Sequence, residues 1–387
     1  MLYSASPLLR RILLLIVLLI VYGSLYPWHF IPKALPGNPF WILLHAWPEE
    51  PLRYFVEDTV VNIAIYVPLG FAAYFSFRRN LYVPVLLGFL LSTALEMAQL
   101  FTPGRITSMM DVSANTSGAA LGVALALVFE SISRRRPVRS PWRSPDRGAL
   151  MLVFCWAAWV FFPFFPVLGF YEPSRKLAIF LHSPLLAPLP LLSFAAVWFA
   201  AGLLLEAAGF EAPRRWAAIA LLAIPAQIFI ATRQPLLSEL AGAAAGVLLF
   251  TLRPAAKAVT RFEAGAFFGV LAFRGLAPFH FAQAAVAFDW IPFGGVLASS
   301  WQPAVLVLTG KVFYYGAGVW LPHRAGMRLW RAAVAVAILL AAIEIVQTHL
   351  PGRTPEITDP ILALLFGFVF ATVTSHRQAM VPIRGAS

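Results

Sequence analysis

The sequence predicts an all-α fold, a polytopic membrane helix bundle of about twelve transmembrane helices in three parallel four-helix repeats. Three observations predict this fold. The 387 residues are 60% hydrophobic and only 12% charged, with a mean hydropathy of +0.78, which is too apolar for a chain that must cover a water-facing surface. Apolar stretches close to the roughly 20 residues that cross a bilayer recur along the chain. A polar motif at the end of one stretch returns 248 residues later.

The apolar stretches define the predicted spans. The first follows Arg10 and Arg11 as a signal-peptide core would, but no clear cleavage site follows it, so we expect a retained helix. An even number of spans in each repeat gives all three repeats the same orientation. The predicted spans are 11–27, 59–77, 81–101, 112–130, 149–167, 187–205, 216–231, 236–252, 262–280, 303–321, 329–348 and 358–374.

The distribution of positive charge predicts the orientation in the membrane. With both termini in the cytoplasm, 20 of the 29 Lys and Arg fall on the cytoplasmic side, seven fall outside, and Arg274 and Lys311 lie within spans. This positive-inside bias accounts for the net charge of +12, so no nucleic-acid partner is expected. The predicted segments are a four-helix unit, a basic cytoplasmic linker, a degenerate four-helix repeat, a second four-helix unit and a cytoplasmic tail, at 1–135, 136–148, 149–255, 258–376 and 377–387.

Several classes of site are disfavoured by what the sequence lacks. Its single cysteine, Cys155, lies inside an apolar stretch, which excludes a disulfide framework and a thiolate metal cluster. The chain has no HExxH motif, no Walker loop, no G-x-G-x-x-G before a strand and no Ser-His-Asp order. We therefore expect no metal and no cofactor, and the sequence identifies no catalytic residue.

The recurring motif places costly polar groups at the ends of apolar stretches. "ALEMAQLFTPGR", 94–105, returns as "AIEIVQTHLPGR", 342–353, and over 94–111 the ungapped copies share 7 of 18 residues. Roughly one identity is expected by chance. The matched polar pairs are Glu96 with Glu344, Gln99 with Gln347, Arg105 with Arg353, and Asp111 with Asp359. A fainter third copy, 128 residues after the first, keeps Gln227, Arg233 and Glu239 but lacks the membrane-embedded Glu.

Helix geometry predicts where these groups lie. Glu96 and Gln99 are three residues apart and share one helical face. Pro103-Gly104 is expected to end that helix, and Asp111 to open the next one, at the positive end of the helix dipole. A charge at mid-bilayer costs roughly 2.5–3.5 kcal/mol on insertion scales, so Glu96 must face protein or a wet cavity. The sequence therefore predicts a Glu–Arg–Asp constellation at the extracytoplasmic boundary.

The order of motifs around the first copy resembles a known family. "DTVVNIAIYVPLGFAAYF", "ALEMAQLFTPGR" and "DVSANTSGAALG" follow one another as N-x5-P-L-G, E-x2-Q, R and D-x3-N-x2-G. This order resembles the VanZ-like family of bacterial membrane proteins, named for a protein linked to teicoplanin resistance. The resemblance implies a protein of the bacterial inner membrane that affects glycopeptide sensitivity. The matching positions are Asn62, Pro68, Gly70, Glu96, Gln99, Arg105, Asp111, Asn115 and Gly118.

The third unit matches this family only in part. Its "FDWIPF", 288–293, is similar to the family's N-x-I-P-F element, with Asp289 near the usual Asn. Gly310, Gly316 and Ala363 stand where the first unit has Asn62, Pro68 and Asn115. We therefore expect the first unit to dominate, with Asn62 and Asn115 lining a polar pocket beside the buried Glu. The candidate substrate-binding residues are Asn62, Glu96, Gln99, Arg105, Asp111, Asn115, Glu344, Gln347, Arg353 and Asp359.

Four interpretations of these residues stay open. In the first, Glu96 pairs with Arg105 as a staple that only holds the loop. In the second, the leading one, Arg105 and Arg353 clamp the phosphate or carboxylate of an anionic envelope lipid or lipid-linked glycan while the Glu residues orient them. A proton-coupled transporter would use Glu96 and Glu344 as proton carriers. An enzyme acting on a lipid-linked head group would use Glu96 or Asp111 as acid or base.

Overall fold

The protein is helical throughout the part of the chain that the structure, a computed structural model, describes. Those residues contain helices and turns and no strand, so the predicted all-α fold is confirmed. The chain forms two compact units, residues 1–140 and 141–387. The described residues are 7–32, 34–47, 52–135, 146–161, 169, 171–182, 186–210, 212–230, 236–254, 257–299 and 301–375.

The N-terminal unit has four long helices and one short helix. In chain order they are α1 (Pro7–Ser24), the short α2 (Pro39–His45), α3 (Leu52–Ser76), α4 (Tyr82–Gln99) and α5 (Met109–Arg135). Helix α3 packs against α1, α4 and α5, and its Tyr66 and Leu69 are almost fully buried. The predicted end of α4 at Pro103-Gly104 is wrong. The helix stops at Gln99 because tight turns, in which Phe101 and Thr102 N–H bond carbonyls three residues back, replace the helical pattern.

Two motif glycines allow α3 and α5 to approach closely. A Cβ added at Gly118 of α5 would lie 2.3 Å from the Ile63 carbonyl oxygen, and one at Gly70 of α3 would lie 2.0 Å from the Ala119 carbonyl oxygen. Both distances are far below van der Waals contact with backbone that cannot rotate away, so only glycine fits. The close approach brings the polar side chains at the start of α5 against α3 and α4.

The C-terminal unit holds the remaining helices. Its long helices after residue 256 repeat the order of the N-terminal unit, and further helices lie before them in the chain. In chain order they are α6 (Arg147–Phe161), α7 (Tyr171–His182), α8 (Pro188–Ala207), α9 (Pro213–Ala220), α10 (Ala223–Ala226), a 3₁₀ turn (Gln227–Phe229), α11 (Leu237–Leu252), α12 (Lys257–Leu276), α13 (Gly294–Leu297), α14 (Trp301–Arg324), α15 (Leu329–Gln347) and α16 (Thr358–Ser375).

Length and composition make this a multi-pass membrane protein. Among the described residues, six helices are long and apolar enough to cross a bilayer, within α3, α4, α5, α8, α14 and α15. Helices α6, α11 and α16 are apolar but shorter. Large apolar side chains such as Leu86 and Leu90 of α4 are exposed on the outer face. Such a surface is favourable in lipid rather than in water.

One predicted span differs from the structure in kind. The stretch 216–231 is not a continuous helix but is divided into α9, α10 and the 3₁₀ turn. Pro225 explains the break, because it has no N–H to bond the Leu221 carbonyl four residues earlier. That carbonyl instead accepts from Ile224 N at 3.1 Å, one residue sooner. The sequence pattern detected the apolar character of this segment but not its geometry.

The predicted linker and tail lie mostly outside the described residues. Residues 136–145 of the linker and 376–387 at the C-terminus are not described. The last two linker residues, Arg147 and Gly148, belong to α6, so the helix begins earlier than the predicted boundary at 149. The predicted second and third four-helix units both lie within the C-terminal compact unit.

Candidate functional site

Glu96 connects the end of α4 to the start of α5. Its side chain is 4% exposed, and its Oε2 atom accepts a hydrogen bond from Ser108 N at 2.9 Å. Thr107 Oγ1 donates to the Glu96 carbonyl oxygen at 3.1 Å. Ser108 directly precedes α5 and accepts from Met110 N through its hydroxyl at 3.1 Å. The carboxylate therefore caps the N-terminus of α5, where the helix dipole favours negative charge.

Gln99 and Arg105 hold the end of α1 against the same loop. Gln99 Nε2 donates to the Ser24 carbonyl oxygen at 2.8 Å, and Arg105 Nη2 donates to the Tyr26 carbonyl oxygen at 3.3 Å. Gly104, just before the arginine, has a φ of +77°, a left-handed conformation that favours glycine. These bonds satisfy carbonyl groups that a helix end leaves without internal partners.

Asp111 and Asn62 form a second polar group at this end of the unit. Asp111 lies in the first turn of α5, as predicted, and its half-buried carboxylate is within hydrogen-bonding reach of the Asn62 amide on α3. Asp58 and Arg105 are charged neighbours of Asp111. Asp58 was missed by the sequence analysis because it belongs to no recurring motif. Two carboxylates, one amide and one guanidinium therefore lie together here.

Asn115 lies one turn deeper than Asp111 and joins a buried polar group. Its side chain is 7% exposed, and Nδ2 donates to Ser92 Oγ of α4 at 2.9 Å. The Asn115 Oδ1 atom is buried and makes no hydrogen bond within the described part of the chain, and the buried Tyr66 hydroxyl lies within hydrogen-bonding reach of Ser92. Asn62 and Asn115, which we expected to line one pocket, thus belong to two polar groups. The outer group surrounds Asp111, and the inner group surrounds Ser92.

Residues 248 positions later make the same hydrogen bonds in the C-terminal unit. Glu344 Oε2 accepts from Glu356 N at 2.7 Å, as Glu96 does from Ser108 N. Gln347 Nε2 donates to the Gly275 carbonyl oxygen at the end of α12 at 2.9 Å. Gly352 has a φ of +73°, matching Gly104. The sequence repeat is therefore also a repeat of contacts.

The two arginines differ in how fully they are engaged. Arg353 Nε and Nη2 donate to the Ala277 carbonyl oxygen at 2.9 and 2.6 Å, and Nη2 also reaches the Arg274 carbonyl oxygen at 2.8 Å. Arg105 makes one such bond and is exposed. Glu96 and Arg105, which the staple interpretation pairs, have other partners, because both arginines bond helix-end carbonyls and both carboxylates bond backbone N–H groups.

The C-terminal copy also contains a charged cluster that sequence analysis missed. Lys311 Nζ donates to Asp359 Oδ1 at 2.6 Å and to Glu356 Oε1, and the Tyr315 hydroxyl donates to Asp359 Oδ2. The Asp359 side chain is also hydrogen-bonded to that of Glu344. Lys311 aligns with Ile63 of the first copy, so the repeat gave no signal for it. Its position as a cation within a predicted span was the only indication.

The fainter middle copy keeps one polar contact. Gln227 is 1% exposed and donates through Nε2 to Glu239 Oε1 at 3.2 Å. Arg233 lies outside the described residues. Within the described ranges, no group of three or more His, Cys, Asp or Glu side chains is placed to hold a metal ion.

Comparison with known proteins finds one family similarity, in the first unit. Residues 11–130 match the family model described as VanZ/LLP1. No curated protein and no solved structure matches the chain. The matched range covers α2 to α4, most of α1 and α5, and the contacts described above for the N-terminal unit. The N-terminal part of this multi-pass membrane protein is thus similar to the VanZ/LLP1 family over residues 11–130.

Proposed function

We propose that the N-terminal unit binds the head group of an anionic envelope lipid or lipid-linked glycan at the end formed by the α4–α5 loop. Arg105 contacts the phosphate or carboxylate, and the outer polar group of Asn62, Asp58 and Asp111 contacts sugar hydroxyls. Binding of this kind is the route by which the protein affects glycopeptide sensitivity. In this proposal the site faces the outside of the bacterial inner membrane, and both termini are cytoplasmic.

The observation that carries the proposal is the difference between Arg105 and Arg353. Arg105 is exposed and makes a single long bond of 3.3 Å, whereas Arg353 makes three bonds to two carbonyl groups. A guanidinium has five N–H groups in a planar fork that matches phosphate and carboxylate. Arg105 therefore retains donors for a ligand, and Arg353 serves mainly to hold the end of α12.

The acidic neighbours favour a glycan over a simple anionic lipid. Three carboxyl groups, those of Asp58, Asp111 and Glu96, lie near the single guanidinium of Arg105. A phosphate alone would engage the guanidinium and leave these carboxyl groups without a ligand partner. Carboxylate groups accept hydrogen bonds from sugar hydroxyls, and an amide side chain can both accept hydrogen bonds from hydroxyls and donate hydrogen bonds to them. A head group that combines one phosphate with a sugar matches both halves of the site.

The test compares two conservative arginine substitutions. Protein purified from bacterial membranes is analysed for bound lipid by mass spectrometry, and its thermal unfolding is measured in the same detergent. Arg105→Lys keeps the charge but loses the fork, so we expect bound lipid-linked glycan to fall roughly tenfold, the equivalent of a charge-assisted hydrogen bond, with unchanged thermal stability. Arg353→Lys is the matched control and is expected to lower stability while the lipid bound per folded molecule stays constant.

Two results would refute the proposal. Wild-type amounts of bound glycan in Arg105→Lys would remove Arg105 from the site. Parallel losses of stability and lipid in both variants would assign both arginines to loop stabilisation alone.

A second candidate function is proton-coupled transport, and the Lys311 cluster favours it. Three carboxylates, Glu344, Glu356 and Asp359, surround one lysine, and the Glu344 and Asp359 side chains are hydrogen-bonded to each other. Carboxyl groups packed this closely around one cation are suited to holding and releasing a proton. Proton uptake into proteoliposomes that is abolished by Glu344→Gln, but retained in Arg105→Lys, would select transport over head-group binding.

A further inference from the structure

The C-terminal unit contains an apolar groove beside the broken span. Its volume is about 390 Å³, and one wall is formed by Trp156 of α6 and Leu205 of α8. The other wall is the segment from α9 to α10, with side chains that include Trp216, Ile219 and Leu222. The groove lies where the turn at Leu222 separates α9 from α10.

The lining determines what the groove accommodates. Every lining side chain is Trp, Leu, Ile or Ala, so the side chains offer only the two indole N–H groups for hydrogen bonding. Water needs two to four polar partners to be held in a cavity, so water does not fill this groove stably. Ile219 and Leu222, at 53% and 66% exposure, face outward from an otherwise packed unit. In a membrane protein the occupant that fits such a wall is hydrocarbon.

The rim of the groove carries positive charge. Arg214 and Arg215 directly precede Trp216, are exposed, and form no ion pair with the described residues. The nearby acidic residue Glu206, next to Leu205, is paired with Arg253. The rim is therefore cationic where the apolar wall begins. An arginine pair next to a membrane surface attracts anionic lipid.

We propose that this groove binds an anionic phospholipid, with one acyl chain along Trp216, Ile219 and Leu222 and the phosphate at Arg214 and Arg215. The groove belongs to the C-terminal unit and the proposed head-group site to the N-terminal unit. The lipid-binding proposal for the groove therefore does not depend on the proposed function. The acyl chain completes the packing of the broken span, and the arginine pair selects the anionic head group.

The test uses the full-length protein in nanodiscs with equal amounts of phosphatidylglycerol and phosphatidylcholine. After extraction into mild detergent, retained lipids are counted by native mass spectrometry. The wild type is expected to retain one phosphatidylglycerol with a preference of about fivefold for each arginine. Arg214→Gln with Arg215→Gln should remove that preference while leaving the amount of retained lipid similar. The matched control is Arg10→Gln with Arg11→Gln, an exposed arginine pair on α1 of the other unit, which should change neither.

A second variant tests the acyl chain. Ala226 is exposed on the groove wall, so Ala226→Phe places its ring in the groove rather than in the core, and retained lipid should fall severalfold whatever the head group. Ile219→Asn, also on the wall, should give the same loss by making the groove polar. Unchanged lipid retention in both wall variants would overturn the proposal. An equal loss of head-group preference in the α1 control would also overturn it, because the preference would then belong to the bilayer as a whole.

Discussion

Removing the lysine of the Lys311 cluster is expected to destabilise the C-terminal unit strongly. The Lys311 side chain is 20% exposed, and its partners Glu356 and Asp359 are 9% and 7% exposed. Lys311→Met removes the cation and leaves two carboxylates that are largely shielded from solvent. Breaking a buried ion pair by removing one partner costs about 3–5 kcal/mol. For a unit of this size each kcal/mol lowers Tm by about 2–4 °C, so we expect a decrease of about 6–20 °C.

The single cysteine provides the assay. Cys155 lies in α6 of the C-terminal unit and is partly buried, so a thiol-reactive fluorophore reports the unfolding of that unit alone. Adding Glu356→Gln and Asp359→Asn to Lys311→Met removes the stranded charges, and most of the lost stability should return. Arg175→Met in the same unit is the control, because the Arg175 side chain is 54% exposed in its pair with Glu172 and such pairs contribute about 1 kcal/mol or less. A Lys311→Met protein with the Tm of the wild type would refute the reasoning.

Three further predictions follow from the helix contacts and the topology. Gly118→Ala should destabilise the N-terminal unit by about 1–3 kcal/mol in denaturation curves, since its Cβ would lie 2.3 Å from the Ile63 carbonyl oxygen. Gly265→Ala in α12, where a Cβ meets nothing within 4 Å, should be neutral or stabilising in the same measurement. Gln99→Ala and Gln347→Ala each break a bond to a helix-end carbonyl and should each lower unfolding free energy by about 1 kcal/mol, so a much larger loss in one copy would contradict the equivalence of these contacts. The topology is tested with single cysteines introduced on a Cys155→Ala background. Ile106 is 88% exposed, so Ile106→Cys should react with an impermeant thiol reagent added to intact cells, whereas Ser140→Cys should not. The reverse labelling pattern would show that the topology is inverted.

Periodic and repeated features were predictable from the sequence. Helical membrane character followed from composition, and the 248-residue repeat identified Glu96, Gln99 and Arg105 as members of one contact set. What the repeat could not supply was the partner of each side chain. The acceptors of Gln99 and Arg105 are backbone carbonyl groups of Ser24 and Tyr26, about 75 to 79 residues earlier, and a carbonyl has no sequence signature. For this reason the sequence did not reveal that Glu96 and Arg105 each bond backbone groups rather than each other.

Features present in only one copy were the ones missed. Lys311 and Tyr315 align with Ile63 and Val67, so their roles depend on a cluster that the first copy lacks. The broken span was missed because hydropathy records how apolar a segment is, whereas its path depends on a single absent N–H at Pro225. Tertiary packing decided both outcomes.

The bonds that hold the end of α1 also set an order for assembly. The Ser24 carbonyl is held by Gln99, 75 residues later in the chain, and the Gly275 carbonyl by Gln347, 72 residues later. At about 5–20 residues per second, synthesis of that stretch takes on the order of 4–15 seconds. During this interval α1 is in the membrane with its end carbonyls bonded only to water or lipid head groups, and the same wait occurs again for α12. The end of each first helix is thus held only when the loop before α5 or α16 leaves the ribosome.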